Sequence, residues 1–268
     1  MMKKELGSVV KVALCMLFVL SLCLLLPSCK KSEEPVAPDQ ADAAKTTAPA
    51  APAEPAAPGA AATTADAGGL VPVELELPKP MFVGTPQDTK VPNLEKPLGH
   101  ARPPFLAPPG TKNVALGKPV SGSDEEPIIG EIDYITDGDM EAADGSYVEL
   151  GPFVQHVTVD LEGVYDIYQI IVWHYHKQAR VYFDVVVQVA DDPDFITNVQ
   201  TVFNNDIDNS AGFGVGTDKH YSETNEGKLI DVLNKGIKGR YVRFYSNGNT
   251  SNDLNHYIEV AVFGKPAS

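Results

Sequence analysis

The densest apolar pattern in the chain runs from Tyr165 to Asp192, YDIYQIIVWHYHKQARVYFDVVVQVADD. Two runs rich in Ile, Val, Tyr, Phe and Trp flank the polar residues 176–180, and such residues suit a pleated, half-buried surface. The pattern predicts strands over 165–175 and 181–190, joined as a hairpin. In the second run Val181, Phe183, Val185, Val187 and Val189 alternate with Tyr182, Asp184, Val186, Gln188 and Ala190. One face is therefore core and the other partly wet. A hairpin is not stable alone and needs a second layer. Shorter strand candidates fall at 113–116, 147–150, 156–161, 200–204, 240–246 and 256–264, separated by turn-rich stretches such as 191–194 and 246–249. No amphipathic helical window of useful length interrupts them. One β-sandwich or barrel domain, over residues 111–266, accommodates this pattern around a single core.

The N-terminal pattern is of another kind. Lys3, Lys4 and Lys11 precede an apolar run over 12–26. At about 15 residues it is short for a membrane span and fits a secretory signal, residues 1–28. It ends in Leu26-Pro27-Ser28-Cys29, which resembles a bacterial lipobox and marks Cys29 for lipidation. All three cysteines (Cys15, Cys23, Cys29) lie in this segment, so the folded part holds neither a disulfide nor a thiolate cluster. Residues 29–69 are rich in Ala, Pro and Thr and nearly devoid of large apolar side chains, which predicts a disordered linker. Residues 70–110 stay Pro-rich but regain Val73, Leu75, Leu77, Met81, Phe82, Val83 and Phe105. Prolines bar a central strand, so this stretch is expected to dock on the domain as an extended arm.

Seven short motifs in order carry a resemblance: NVALGKPV (113–120), ITDGD (135–139), VTVDL (157–161), IYQIIV (167–172), FDVVVQV (183–189), GRYVRF (239–244) and YIEVAVFG (257–264). The stretch resembles discoidin domains, also called coagulation factor 5/8 type C, and the bacterial branch grouped with family 32 carbohydrate-binding modules. The resemblance implies an all-β fold, the galactose-binding-like jelly-roll β-sandwich.

On spacing alone, Asp137-Gly138-Asp139 is an ordinary turn. The resemblance implies a structural calcium held by Asp137, Asp139 and Glu259, a hard cation on oxygen ligands. Asp206 and Asp208 belong to a second acidic loop, expected to be a solvated turn because the glycine and closing Glu of a calcium loop are missing. His174 and His176 could share a metal in a metal-dependent enzyme, or could serve as hydrogen-bonding or core histidines.

The formal charge is −15, and more negative once residues 1–28 with three Lys and one Glu are removed. That argues against nucleic acid and anionic lipid headgroups as partners. With no convincing catalytic set, the expected function is a non-catalytic carbohydrate-binding lipoprotein of the bacterial cell envelope, touching the membrane only through its N-terminal lipid. A protein-binding or adhesive envelope module is the alternative. Sugars need aromatic faces and planar polar groups. Loops at 176–180, 205–228 and 247–255, gathered at one end, would offer Trp173, His176, Arg180, Phe213, Tyr221, Asn247 and His256.

Overall fold

The computed structural model describes residues 69–80 and 89–268. The signal segment, Cys29, the linker up to residue 68, and Met81, Phe82 and Val83 of the arm lie outside the described residues. The described part is built of strands β1 (Val71–Pro72), β2 (Leu106–Ala107), β3 (Lys112–Asn113), β4 (Val120–Gly122), β5 (Val148–Leu150), β6 (Gln155–Trp173), β7 (Val186–Ala190), β8 (Gln200–Asn204), β9 (Lys228–Asp231), β10 (Ile237–Ser246), β11 (Asn255–Tyr257) and β12 (Glu259–Pro266). A short 3-10 turn spans Ile132–Thr136. Among the described residues, no helix is long and apolar enough to cross a membrane.

Strand β6 organises the sandwich. Its first half pairs with β4 and β10, its second half with β12 and β9. Between the halves it bends: Gly239 faces Tyr165 while Tyr241 faces Asp160, so residues 161–164 stand opposite Arg240 alone. Glu162 takes a φ of 60° there, conformationally costly for a residue with a Cβ. Asp160 holds the corner by accepting Arg240 Nε and Nη2, both at 2.7 Å, and the backbone N–H of Glu162 at 2.7 Å. The guanidinium beside it keeps the Asp160 carboxyl below its ordinary pKa.

The bend yields two layers. One holds β4, the first half of β6, β10, β7 and β8; the other holds β9, the second half of β6, β12 and β3. Val157, Val159, Val187, Val189, Val242 and Phe244 from one layer meet Ile170, Val172, Ile230, Val260 and Val262 from the other in a single buried cluster. This is the expected all-β sandwich. The expected hairpin is not present. Residues 165–173 pair with β12 and β9 in one layer, whereas Val186–Ala190 pairs with β10 and β8 in the other, so the two runs share no ladder. Two β-rich runs around a polar break predict strands well and adjacency poorly.

A second buried cluster lies on the outer face of the β6–β12 layer. Ile171, Trp173, Ala261 and Phe263 point outward there and are covered by Val73, Leu75, Leu77 and Phe105. The arm reaches this position as the small β1–β2 ladder, continued by Val73 N–H donating to Phe105 O at 2.9 Å. Phe105 meets Phe263 edge to face at 4.9 Å. Burial on both faces explains why residues 170–173 read as an unbroken apolar run rather than an alternating one.

Candidate functional site

Registers place the loops. Gly122 faces Val157, Ser246 faces Gln155, and Val186 faces both Tyr245 and Asn204. Glu259 faces Trp173 and Lys228 faces Val172. The two β6 ends come together over Tyr257, whose hydroxyl lies 2.9 Å from Ser246 Oγ and whose ring is 5.0 Å from His174. Loops 123–154, 174–185, 205–227 and 247–254 therefore gather at one end of the sandwich.

A chain of polar side chains runs beneath them. His174 donates from Nδ1 to Glu223 Oε1 at 2.7 Å, both fully enclosed. His174 stacks on Tyr182 at 4.4 Å. The Tyr182 hydroxyl donates to His256 Nδ1 at 3.0 Å, and His256 Nε2 donates to Glu149 Oε2 at 2.9 Å. Burial first, then the charges of Arg180 and His174, hold the His256 pKa down near 3, so the ring is neutral and this tautomer is fixed. Arg180 lies over the Tyr175 ring at 4.6 Å. Its Nη2 donates to Gln178 Oε1 at 3.4 Å and its guanidinium bears on the Tyr182 hydroxyl, while Nε and Nη1 are buried without a well-formed hydrogen bond among the described residues. Glu223 Oε2 and His174 Nε2 are in the same condition. Buried donors without partners are costly, so the two unmatched guanidinium nitrogens are the open polar positions of this end.

The structure sorts the expected ligand residues. Arg180, Phe213 and Asn247 are half-buried. Phe213 packs on Tyr245 at 4.2 Å, and Asn247 Nδ2 donates to Asp184 Oδ2 at 2.8 Å. Trp173 is a correction: it is fully buried, donates from Nε1 to Asn225 O at 3.0 Å and lies against Gly227, so its ring offers no face to a ligand. Tyr221, His176 and His256 are also enclosed and present no surface to a ligand. His174 and His176 do not share a site, since His176 Nε2 bonds Met140 O at 2.9 Å while His174 turns to Glu223. Glu149, Tyr182 and Glu223 join the cluster without any sequence signal beyond strand alternation at Glu149.

The acidic loop differs from the expected solvated turn. Asp206 is fully buried, and carboxylate oxygens of Asp184, Asp206 and Asp208 lie within 4.8 Å of one another. They are occupied: Asp206 accepts the N–H groups of Ser210 and Ala211 at 3.0 and 2.9 Å, and Asp184 accepts Ser210 Oγ at 2.7 Å. At the other acidic loop, Glu259 Oε2 accepts Gly138 N–H at 3.0 Å, tying loop to final strand. Glu259 Oε1 is buried without a partner among the described residues. Burial, then the charges of Asp137 and Asp139, push the Glu259 carboxyl up to about 9.

Two histidines, His256 buried and His156 half-buried, make acid stability a readout. His156, held down to about 4 by burial and by Arg243, sits against Tyr245 at 5.3 Å. Both His156 and His256 titrate below the ordinary histidine value of 6.5. The unfolded chain therefore binds protons that the fold refuses, and stability falls as pH drops from about 7 towards 4, by at most about 1.4 kcal/mol per pH unit for each ring. Glu149 and Glu259, both raised by burial, work in the opposite sense, Glu259 across the whole interval from pH 7 to pH 5. Relative to the natural chain, the His156→Gln, His256→Gln double variant is therefore expected to lose less melting temperature between pH 7 and pH 5, or to gain.

No family model matches the chain, and no curated protein matches it. Among solved structures, the chain is similar to the family 32 carbohydrate-binding module of AlyQ in complex with 4,5-unsaturated mannuronic acid (20% identity; 54% of this chain and 93% of that one; TM-score 0.40). It is also similar to a fucolectin from striped bass, Morone saxatilis, serum (18% identity; 59% and 50%; TM-score 0.42). A third is a fucose-binding module of Streptococcus pneumoniae (17% identity; 56% and 96%; TM-score 0.39). At such identities the likeness is one of fold, and the ligands named belong to those proteins.

Proposed function

We propose that the chain is a non-catalytic carbohydrate-binding lipoprotein of the bacterial cell envelope, anchored by lipid on Cys29, with its ligand at the loop end. The observation that carries the reading is Arg180: two buried, unpartnered donors beside the Tyr175 face, with the Glu149 carboxylate close enough to feel its charge. Donors and an acceptor side by side suit the hydroxyls of a sugar. His256 and Tyr182 position Glu149 from behind, and Glu223 fixes His174 beneath them. Calcium is part of the proposal. Glu259, whose buried Oε1 lacks a partner, would hold it with Asp137 and Asp139, and the ion would neutralise three neighbouring carboxylates.

The test is a glycan array probed with the full chain in mild detergent, followed by calorimetry on the tightest hit. Arg180→Ala is expected to weaken binding at least ten-fold while melting as the natural chain does. Binding to no glycan by a folded natural chain would sink the reading.

A further inference from the structure

Phe153 stands out on the same end. Its side chain is 79% exposed, and its backbone φ is 68°, a region that bulky residues rarely enter. The segment carrying it, residues 151–154 between β5 and β6, is nevertheless pinned. Asn255, fully buried, donates from Nδ2 to both Gly151 O (2.8 Å) and Phe153 O (2.9 Å). Gln155 Nε2 donates to Pro152 O at 3.0 Å, and Ser123 Oγ donates to Gln155 Oε1 at 2.5 Å. Asn255 Oδ1 in turn accepts Ser246 Oγ and Gly248 N–H at 2.8 and 2.9 Å. A strained backbone held by a buried amide, with a phenyl ring set out into water, stores free energy that packing does not return.

Rings so presented serve to stack. We infer that Phe153 is an aromatic platform for the apolar C–H face of a neutral sugar ring, reaching the ligand whose hydroxyls Arg180 and Glu149 take; this rests on the reading of the loop end as a carbohydrate site. Phe153 lies in the loop directly after β5, three residues beyond the strand that carries Glu149, at the same end of the sandwich. The chemistry around it selects the sugar class. The Asp124 carboxylate lies beside Gly151, and Glu125 and Glu126 are exposed next in the chain. These three carboxylates, with Glu149 facing Arg180, outnumber the single guanidinium of the site, so uronic and sialic acids are disfavoured against uncharged pyranoses. Ile128 and Val215 are also exposed at this end, but the acidic run directly before Ile128 sets the patch against an anionic lipid surface.

The strain supplies a discriminating substitution. Glycine accepts a positive φ freely, so Phe153→Gly removes the ring and relieves the backbone together. The full chain and its Phe153→Gly and Phe153→Tyr variants are compared on an array of neutral and acidic glycans, then by calorimetry with the tightest neutral hit. Expected are a melting temperature for Phe153→Gly equal to or above the natural one, at least ten-fold weaker binding, and near-natural binding by Phe153→Tyr. Equal binding by Phe153→Gly and the natural chain would overturn the platform and leave the carbohydrate site standing. Binding confined to acidic glycans would overturn the sugar class. No binding by the natural chain would remove the site itself and the platform with it. Weaker partition of Phe153→Gly than of the natural chain into phosphatidylcholine vesicles, both carrying the same N-terminal lipid, without glycan loss, would show a lipid spike instead and overturn the inference.

Discussion

A chain begun at Thr111 is expected to lose most of its stability, although the seven sequence motifs all lie beyond that residue. The arm covers an apolar face with Val73, Leu75, Leu77 and Phe105. A fully buried side chain of this kind is worth about 1.5–3 kcal/mol; Phe105 is buried and the other three half-buried, so their joint loss is a large share of the roughly 5–15 kcal/mol of a whole domain. What they leave behind is Ile171, Trp173, Ala261 and Phe263 facing water. The arm also clamps the loop that completes the site. Arg102 donates from Nη1 to Gly227 O (2.9 Å) and from Nη2 to Glu226 O (2.8 Å), and its backbone N–H reaches the Glu226 carboxylate at 3.0 Å. Glu95 pairs with Lys228 at 2.7 Å, its N–H donates to His220 O at 2.8 Å, and Asn225 Nδ2 donates to Pro78 O at 2.8 Å. Residues 218–227 carry Tyr221 and Glu223 to His174, so loosening the arm loosens the floor of the site. Truncation is expected to lower the melting temperature by about 15 °C or more, or to prevent folding. A truncated chain that melts where the full chain does would show the arm to be passive.

Chelation is the second large effect. Asp137 and Asp139 both bear on the buried Glu259 carboxylate, and burial is the larger cause of its raised pKa. An ion bound only by the folded state adds about 2.7 kcal/mol at one hundred times its Kd. A calcium chelator is therefore expected to lower the melting temperature by several degrees. Excess calcium restores it; magnesium, which demands a tighter octahedron, does so poorly. Glu259→Gln abolishes most of the response while keeping the fold, since a neutral amide suits the enclosed position. A melting curve indifferent to chelator, from a protein that holds no calcium, would reduce Asp137–Asp139 to a turn tied by Gly138.

How far the residues themselves announced this is uneven, and the reasons are physical. Strand content was legible because β-branched and aromatic runs at residues 148–150, 200–204 and 237–246 need a half-buried pleat. Pairing was not: the second half of β6 and β7 look like hairpin partners, yet they pair in different layers. Trp173 misled because a lone Trp at a strand end suggests a sugar platform, whereas its neighbours Ile170, Ile171 and Val172, apolar on both faces, already signal a covered strand. Arg180 was readable as the polar break in an apolar pattern. Phe153 was not, since nothing in Gly-Pro-Phe-Val reports a left-handed φ, and Asn255, which enforces it, lies far away in sequence.

The most direct measurement is a crystal structure of the chain soaked with its best neutral glycan. Sugar hydroxyls are expected on Arg180 Nε and Nη1 and on Glu149, with a ring face against Phe153. Sugar bound instead on the outer face of the β4–β10 layer, in the cleft of about 120 Å³ lined by Val120, Thr158, Asp160 and Tyr241, would contradict that expectation.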